Sequence, residues 1–194
     1  MHRSAVGSLL ILASAALAGC SASRELPGPQ DQYWADLAAL CDSAYEGQVI
    51  EAPPGDTAFA DKRLVMHVRE CTDDVIRIPF HVGDDRSRTW VLTRTAEGIR
   101  LKHDHRHADG SEDSVTQYGG DTRTIGTTQV QEFPADSFTA ALIPAAASNV
   151  WTVEVHRGER FAYALRREGT DRRFRIEFDL ATAVAPPPAP WGAP

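Results

Sequence analysis

The sequence predicts an all-β fold, an antiparallel up-and-down barrel of about eight to ten strands behind a short N-terminal helix. Three observations carry this expectation. Apolar and polar residues alternate along most of the chain, at the period of two that half-buried antiparallel strands require. Turn-forming clusters interrupt the alternation roughly every 12 residues. The 194 residues, 42% hydrophobic and 24% charged, are enough for one domain with one core. A two-sheet β-sandwich fits the same pattern and is the alternative.

Taken in order, Asp31 is placed to cap a short helix carrying Trp34, Leu37, Leu40 and Cys41 on one face. Period-two rows follow at Leu64-Met66-Val68 and Ile76-Ile78-Phe80-Val82, then at Trp90 with Leu92 and Ile99 with Leu101. Later rows are Trp151-Val153-Val155, Phe161-Tyr163-Leu165 and Phe174-Ile176-Phe178. Turns fall at Thr72-Asp73-Asp74, Gly83-Asp84-Asp85, Ala96-Glu97-Gly98, Asp109-Gly110-Ser111, Gly119-Gly120-Asp121, Arg157-Gly158-Glu159 and Glu168-Gly169-Thr170. One helical interruption is expected around 135–142, between Pro134 and Pro144. His67, His81 and His156 lie opposite their strands' apolar rows and are expected at the surface. The expected divisions are a leader over 1–19, a polar tether over 20–30, the barrel over 31–183 and a proline-rich extended tail over 184–194. In topology the chain resembles the calycin architecture of lipocalins and fatty-acid-binding proteins, without the lipocalin Gly-x-Trp motif.

The first residues read Met1-His2-Arg3, an apolar run from Ala5 to Leu17, and then Leu17-Ala18-Gly19-Cys20. The run is shorter than the ~18 residues of a spanning helix, as in export signals. Its ending resembles the lipobox of bacterial lipoproteins. That resemblance implies cleavage before Cys20, lipidation of the Cys20 thiol and anchoring to a membrane, each buried methylene contributing ~0.8 kcal/mol. Ser21 after the cysteine implies the outer membrane of a Gram-negative envelope, facing the periplasm. Export leaves Cys41 and Cys71 in an oxidising compartment, where a disulfide is the economical pairing. Such a bridge closes a loop of about 30 residues and contributes ~3–4 kcal/mol. Two separate buried thiols are the alternative.

A net charge of −7 argues against a nucleic-acid partner, which needs a basic face. No Gly-x-Ser-x-Gly elbow, P-loop, Gly-x-Gly-x-x-Gly or His-Glu-x-x-His motif is present, so nothing points to a particular enzyme.

The densest chemical signal is Leu101-Lys102-His103-Asp104-His105-Arg106-His107. In a strand, its three histidines share a face with Ile99 and Leu101, the inward face. Matching apolar residues across the Ala96–Gly98 turn sets Leu92 opposite Leu101, Trp90 opposite His103 and Arg88 opposite His105. The expected result is a polar mouth on an apolar barrel, formed by Arg88, Trp90, His103 and His105, that binds a small or apolar ligand. Two histidines at i and i+2 can also ligate zinc. The second reading is therefore a divalent-metal site at His103, His105 and His107. A third reading is an envelope interaction module without a pocket. His105, His107, Glu112 and Gly119 match part of a cupin motif, but the leading glycine is misplaced and no second motif follows. The segments Ile78-Pro79-Phe80-His81-Val82-Gly83, Arg86-Ser87-Arg88-Thr89-Trp90 and His103-Asp104-His105-Arg106-His107 are similar to a family of bacterial secreted proteins without an assigned activity.

Overall fold

The computed structural model describes residues 26–193. The expected leader over 1–19 and the expected lipidation at Cys20 lie outside the described residues. Helix α1 (Gly28–Ala38) is followed by β1 (Ala44–Glu51), β2 (Leu64–His67), β3 (Glu70–Cys71), β4 (Val75–Val82), β5 (Asp85–Arg94) and β6 (Ile99–His105). Then come β7 (Tyr118–Asp121), β8 (Val130–Pro134), helix α2 (Ser137–Leu142), β9 (Asn149–His156), β10 (Arg160–Arg167) and β11 (Arg173–Val184).

The strands form one antiparallel sheet in the order β7-β6-β5-β4-β2-β1-β11-β10-β9-β8, with β3 pairing beside β4. Pairing of β1 with β11 joins the two ends of the meander and curls the sheet into a nearly closed barrel. The remaining seam, between β7 and β8, has no ladder. It is bridged by α2: Thr139 Oγ1 donates to the Gly119 carbonyl at 2.8 Å and accepts from the Gly119 N–H at 2.7 Å. Asp136 N adds a bond to Gly119 O at 3.0 Å. A Cβ on Gly119 would strike the Leu101 carbonyl and one on Gly120 the Pro134 carbonyl. The Gly-Gly pair expected as a turn is therefore a strand segment whose missing side chains let the barrel close.

The predicted apolar rows fill the interior: Ile76, Ile78, Leu92, Ile99, Leu101, Val155, Phe161, Ile176 and Phe178 are all fully buried. Helix α1 plugs one end of the barrel. Gln30, itself buried, donates from Nε2 to Thr122 Oγ1, to the Thr124 carbonyl and to Gln131 Oε1 at 3.1–3.3 Å. Cys41, just beyond α1, is disulfide-bonded to Cys71 in β3 across 30 residues, with a Cα–Cα distance of 6.3 Å.

Three expectations need correction. The helix begins at Gly28 and is preceded by Pro27, which makes no side-chain cap. Asp31 lies in its first turn and pairs with Arg94 at 3.1 Å. The residues expected as tether thus include buried Leu26 and Gln30, because the plug needs a longer helix than one apolar face reveals. His81 is buried, not exposed. The tail runs back along the same outer wall, where Pro186 to Pro188 line a cleft together with Val65, His81 and Arg86. Trp191 N donates to Arg86 O at 3.1 Å, and an Arg86 Nη donates to Ala189 O at 3.2 Å.

Candidate functional site

The end of the barrel opposite α1 holds a cavity of about 300 Å³. Each wall follows from the strand pattern. The β5–β6 register is the expected one: Arg88 pairs with His105, Trp90 with His103 and Leu92 with Leu101. Inward alternation therefore carries the apolar face of β5 and β6 upward into a polar ending. Arg88, Trp90, His103 and His105 all line the cavity.

Two aromatic walls face the space. On one side the ring of Phe59, in the long β1–β2 loop, sits 5.1 Å from Phe174 and 5.8 Å from Phe80. Phe80 stacks on Trp90 at 4.9 Å, and Trp90 stacks on Tyr163 at 4.5 Å. On the other side, Tyr118 stacks on His103 at 4.4 Å, with Trp151 5.2 Å from the same imidazole. Such pairs contribute roughly 0.5–1.5 kcal/mol each beyond their buried area.

A short hydrogen bond joins the walls. His103 Nδ1 lies 3.0 Å from the Tyr118 carbonyl, which can only accept, so Nδ1 carries the proton. Nε2 is then the acceptor for the Tyr163 hydroxyl at 2.7 Å. Burial pushes His103 down to about 3 and Tyr163 well above the usual phenol range. The shared proton therefore stays on the tyrosine at neutral pH, and the bond braces the two walls. The Tyr118 hydroxyl is 3.1 Å from His105 Nε2. Tyr118 is pushed up to about 12 by burial, and His105 is held below the usual imidazole range by burial and by Arg88. The inner walls are polar in places but uncharged near pH 7.

Charge is confined to the rim. Arg88 is paired with Asp85 at 2.5 Å, and its guanidinium lies 5.9 Å from the Phe59 ring centre. Arg167, Arg172 and Asp56 also line the opening.

The histidine cluster separates in the structure. Both ring nitrogens of His103 are bonded within the protein, and exposed His107 lies past the end of β6 in the loop closed by His107 N to Ser111 O. Among the described residues no group of three or more His, Cys, Asp or Glu side chains is placed to hold a metal ion. The expected zinc set is not assembled, because alternation ends where the strand ends. Of the partial cupin match, Glu112 is engaged by Arg106 at 3.0 Å.

Compared with protein-family models, with curated proteins and with solved structures, the chain matches none.

Several lining residues escaped the sequence reading. Trp151, Tyr163 and Phe174 were legible as inward residues, but not as cavity walls. The signal was there: inward Tyr and Trp at the end of their rows carry polar atoms that need partners. Phe59 and Asn149 gave no such signal, since a loop residue and a strand's first residue acquire their neighbours only when the barrel closes.

Proposed function

We propose that this protein is a lipid-anchored cell-envelope protein that binds a small, largely apolar ligand at the open end of its barrel. The observation that carries the reading is the aromatic-walled cavity facing away from the plug. Its 300 Å³ is at the small end of the ~300–1,000 Å³ typical of ligand pockets. The volume suits a one- or two-ring molecule. A long acyl chain has no path inward, because Leu92, Leu101, Val153 and Phe161 pack the interior beneath.

The anchoring half of the proposal rests on the Leu17-Ala18-Gly19-Cys20 sequence. The Cys41–Cys71 bond supports export, since such bonds persist in oxidising compartments. Ser21 favours the outer membrane. Native mass spectrometry of protein taken from its own membranes tests the binding, with a bound mass of a small organic molecule expected. Labelling with radioactive palmitate tests the anchor: the wild-type chain should take up label and the Cys20→Ser variant should not.

A further inference from the structure

The cavity has a chemical polarity that its size alone does not specify. Its walls are largely rings, and three arginines line its opening against two carboxylates, Asp56 in the lining and Asp85 beside Arg88, in a protein of net charge −7. Cations concentrated against the overall charge mark the place where a negative group is received.

The arginines differ in what already holds them. Arg88 is engaged by Asp85, and Arg172 lies 4.0 Å from Asp56. Arg167 is held by its Nε, which donates to Asn149 Oδ1 at 2.9 Å. Asn149 is itself buried, so this bond fixes the plane of the guanidinium. Its side chain makes no other hydrogen bond or ion pair among the described residues, so both Nη groups are unengaged. A guanidinium oriented through Nε, with its terminal nitrogens unengaged, presents the paired donors that suit a planar carboxylate. Below it stand Leu165, Trp151 and Tyr163, all on the cavity wall. An acid at the rim would therefore have its ring against the indole of Trp151 and the Trp90–Tyr163 stack.

We infer that the ligand class is a small planar aromatic acid, its carboxylate held by Arg167 with Arg88 across the mouth, and its ring between the aromatic walls. The inference rests on the binding proposed above. Arg167 is the specificity-determining residue and Asn149 its positioning partner.

The test uses the full chain in phospholipid nanodiscs, with empty nanodiscs as the blank. Isothermal titration calorimetry compares 1-naphthoate with 1-naphthamide, its uncharged isostere. The acid should bind at least about tenfold more tightly, and added salt should weaken the acid alone. Arg167→Gln should bring the acid to the amide's affinity while leaving the amide within about twofold, which also shows that the variant keeps its cavity. Equal affinity of the two probes, or an acid preference that survives Arg167→Gln, overturns the assignment of the anion site and leaves the cavity reading standing. Binding of neither probe overturns the cavity reading and this inference with it.

Discussion

Tyr163 and His103 make the connection on which the open end depends. The imidazole is buried with one nitrogen on a backbone carbonyl and the other on a hydroxyl. Tyr163→Phe keeps the ring stack on Trp90 but strands His103 Nε2 without a donor. The expected cost is ~1–3 kcal/mol of stability, read from urea denaturation, while Thr89→Ala, next to Trp90 in β5, should cost much less. His103 and His81 both contribute to the acid response. His81 is held at about 4 by burial and by Arg86, and His103 at about 3 by burial. Both bind a proton more weakly in the folded state than their ordinary ~6.5 in the unfolded chain. Their stability is fully present above about pH 6.5, and it falls as pH drops from there through 4 and 3. The slope approaches ~1.4 kcal/mol per pH unit for each group inside its window. His81→Gln should flatten the upper part of that loss in denaturation curves taken from pH 7 to pH 4. An unchanged slope would mean that His81 is not a buried neutral imidazole.

The tail and the plug show how terminal elements finish a barrel. On the outer face of β4, His81 is buried beside the cleft that Pro186 to Pro188 help to line, and its Nε2 has no partner among the described residues. Proline suits that role because an extended strap needs no ladder bonds of its own. Removing residues 185–194 should expose His81, raise its proton affinity toward ordinary imidazole and lower the melting temperature. Histidine NMR titration of the shortened chain checks the first effect, and 1-naphthoate binding inside the barrel mouth should be unchanged. At the plug, the Cys41–Cys71 bond ties the end of α1 to the wall. The double variant Cys41→Ser/Cys71→Ser should lose ~3–4 kcal/mol in denaturation under oxidising conditions. It should match the wild type under reducing conditions.

At the scale of the molecule, what was legible from sequence was whatever depends on neighbours close in the chain. Period-two rows gave the strands, and apolar matching across one short turn gave the β5–β6 register residue by residue. Closure is different in kind. The bridging of β7 and β8 by Thr139 and the strap across His81 join segments whose approach depends on the whole barrel. Neither has a local pattern to announce it, and Gly119-Gly120 therefore looked like a turn. The candidate site divides the same way: the β5–β6 half was foreseen, whereas Tyr118, Trp151, Tyr163 and Arg167 join it only through the fold.

The four tryptophans provide the most direct test of ligand binding at the mouth. Trp90 and Trp151 line the cavity, Trp34 belongs to α1 at the far end, and Trp191 lies in the tail outside the wall. In a two-dimensional NMR titration with 1-naphthoate, observed through the indole N–H signals, the Trp90 and Trp151 resonances should shift together and saturate. Those of Trp34 and Trp191 should stay in place. Saturable shifts confined to Trp34 or Trp191, or none at Trp90 and Trp151, would contradict a binding site at the open end of the barrel.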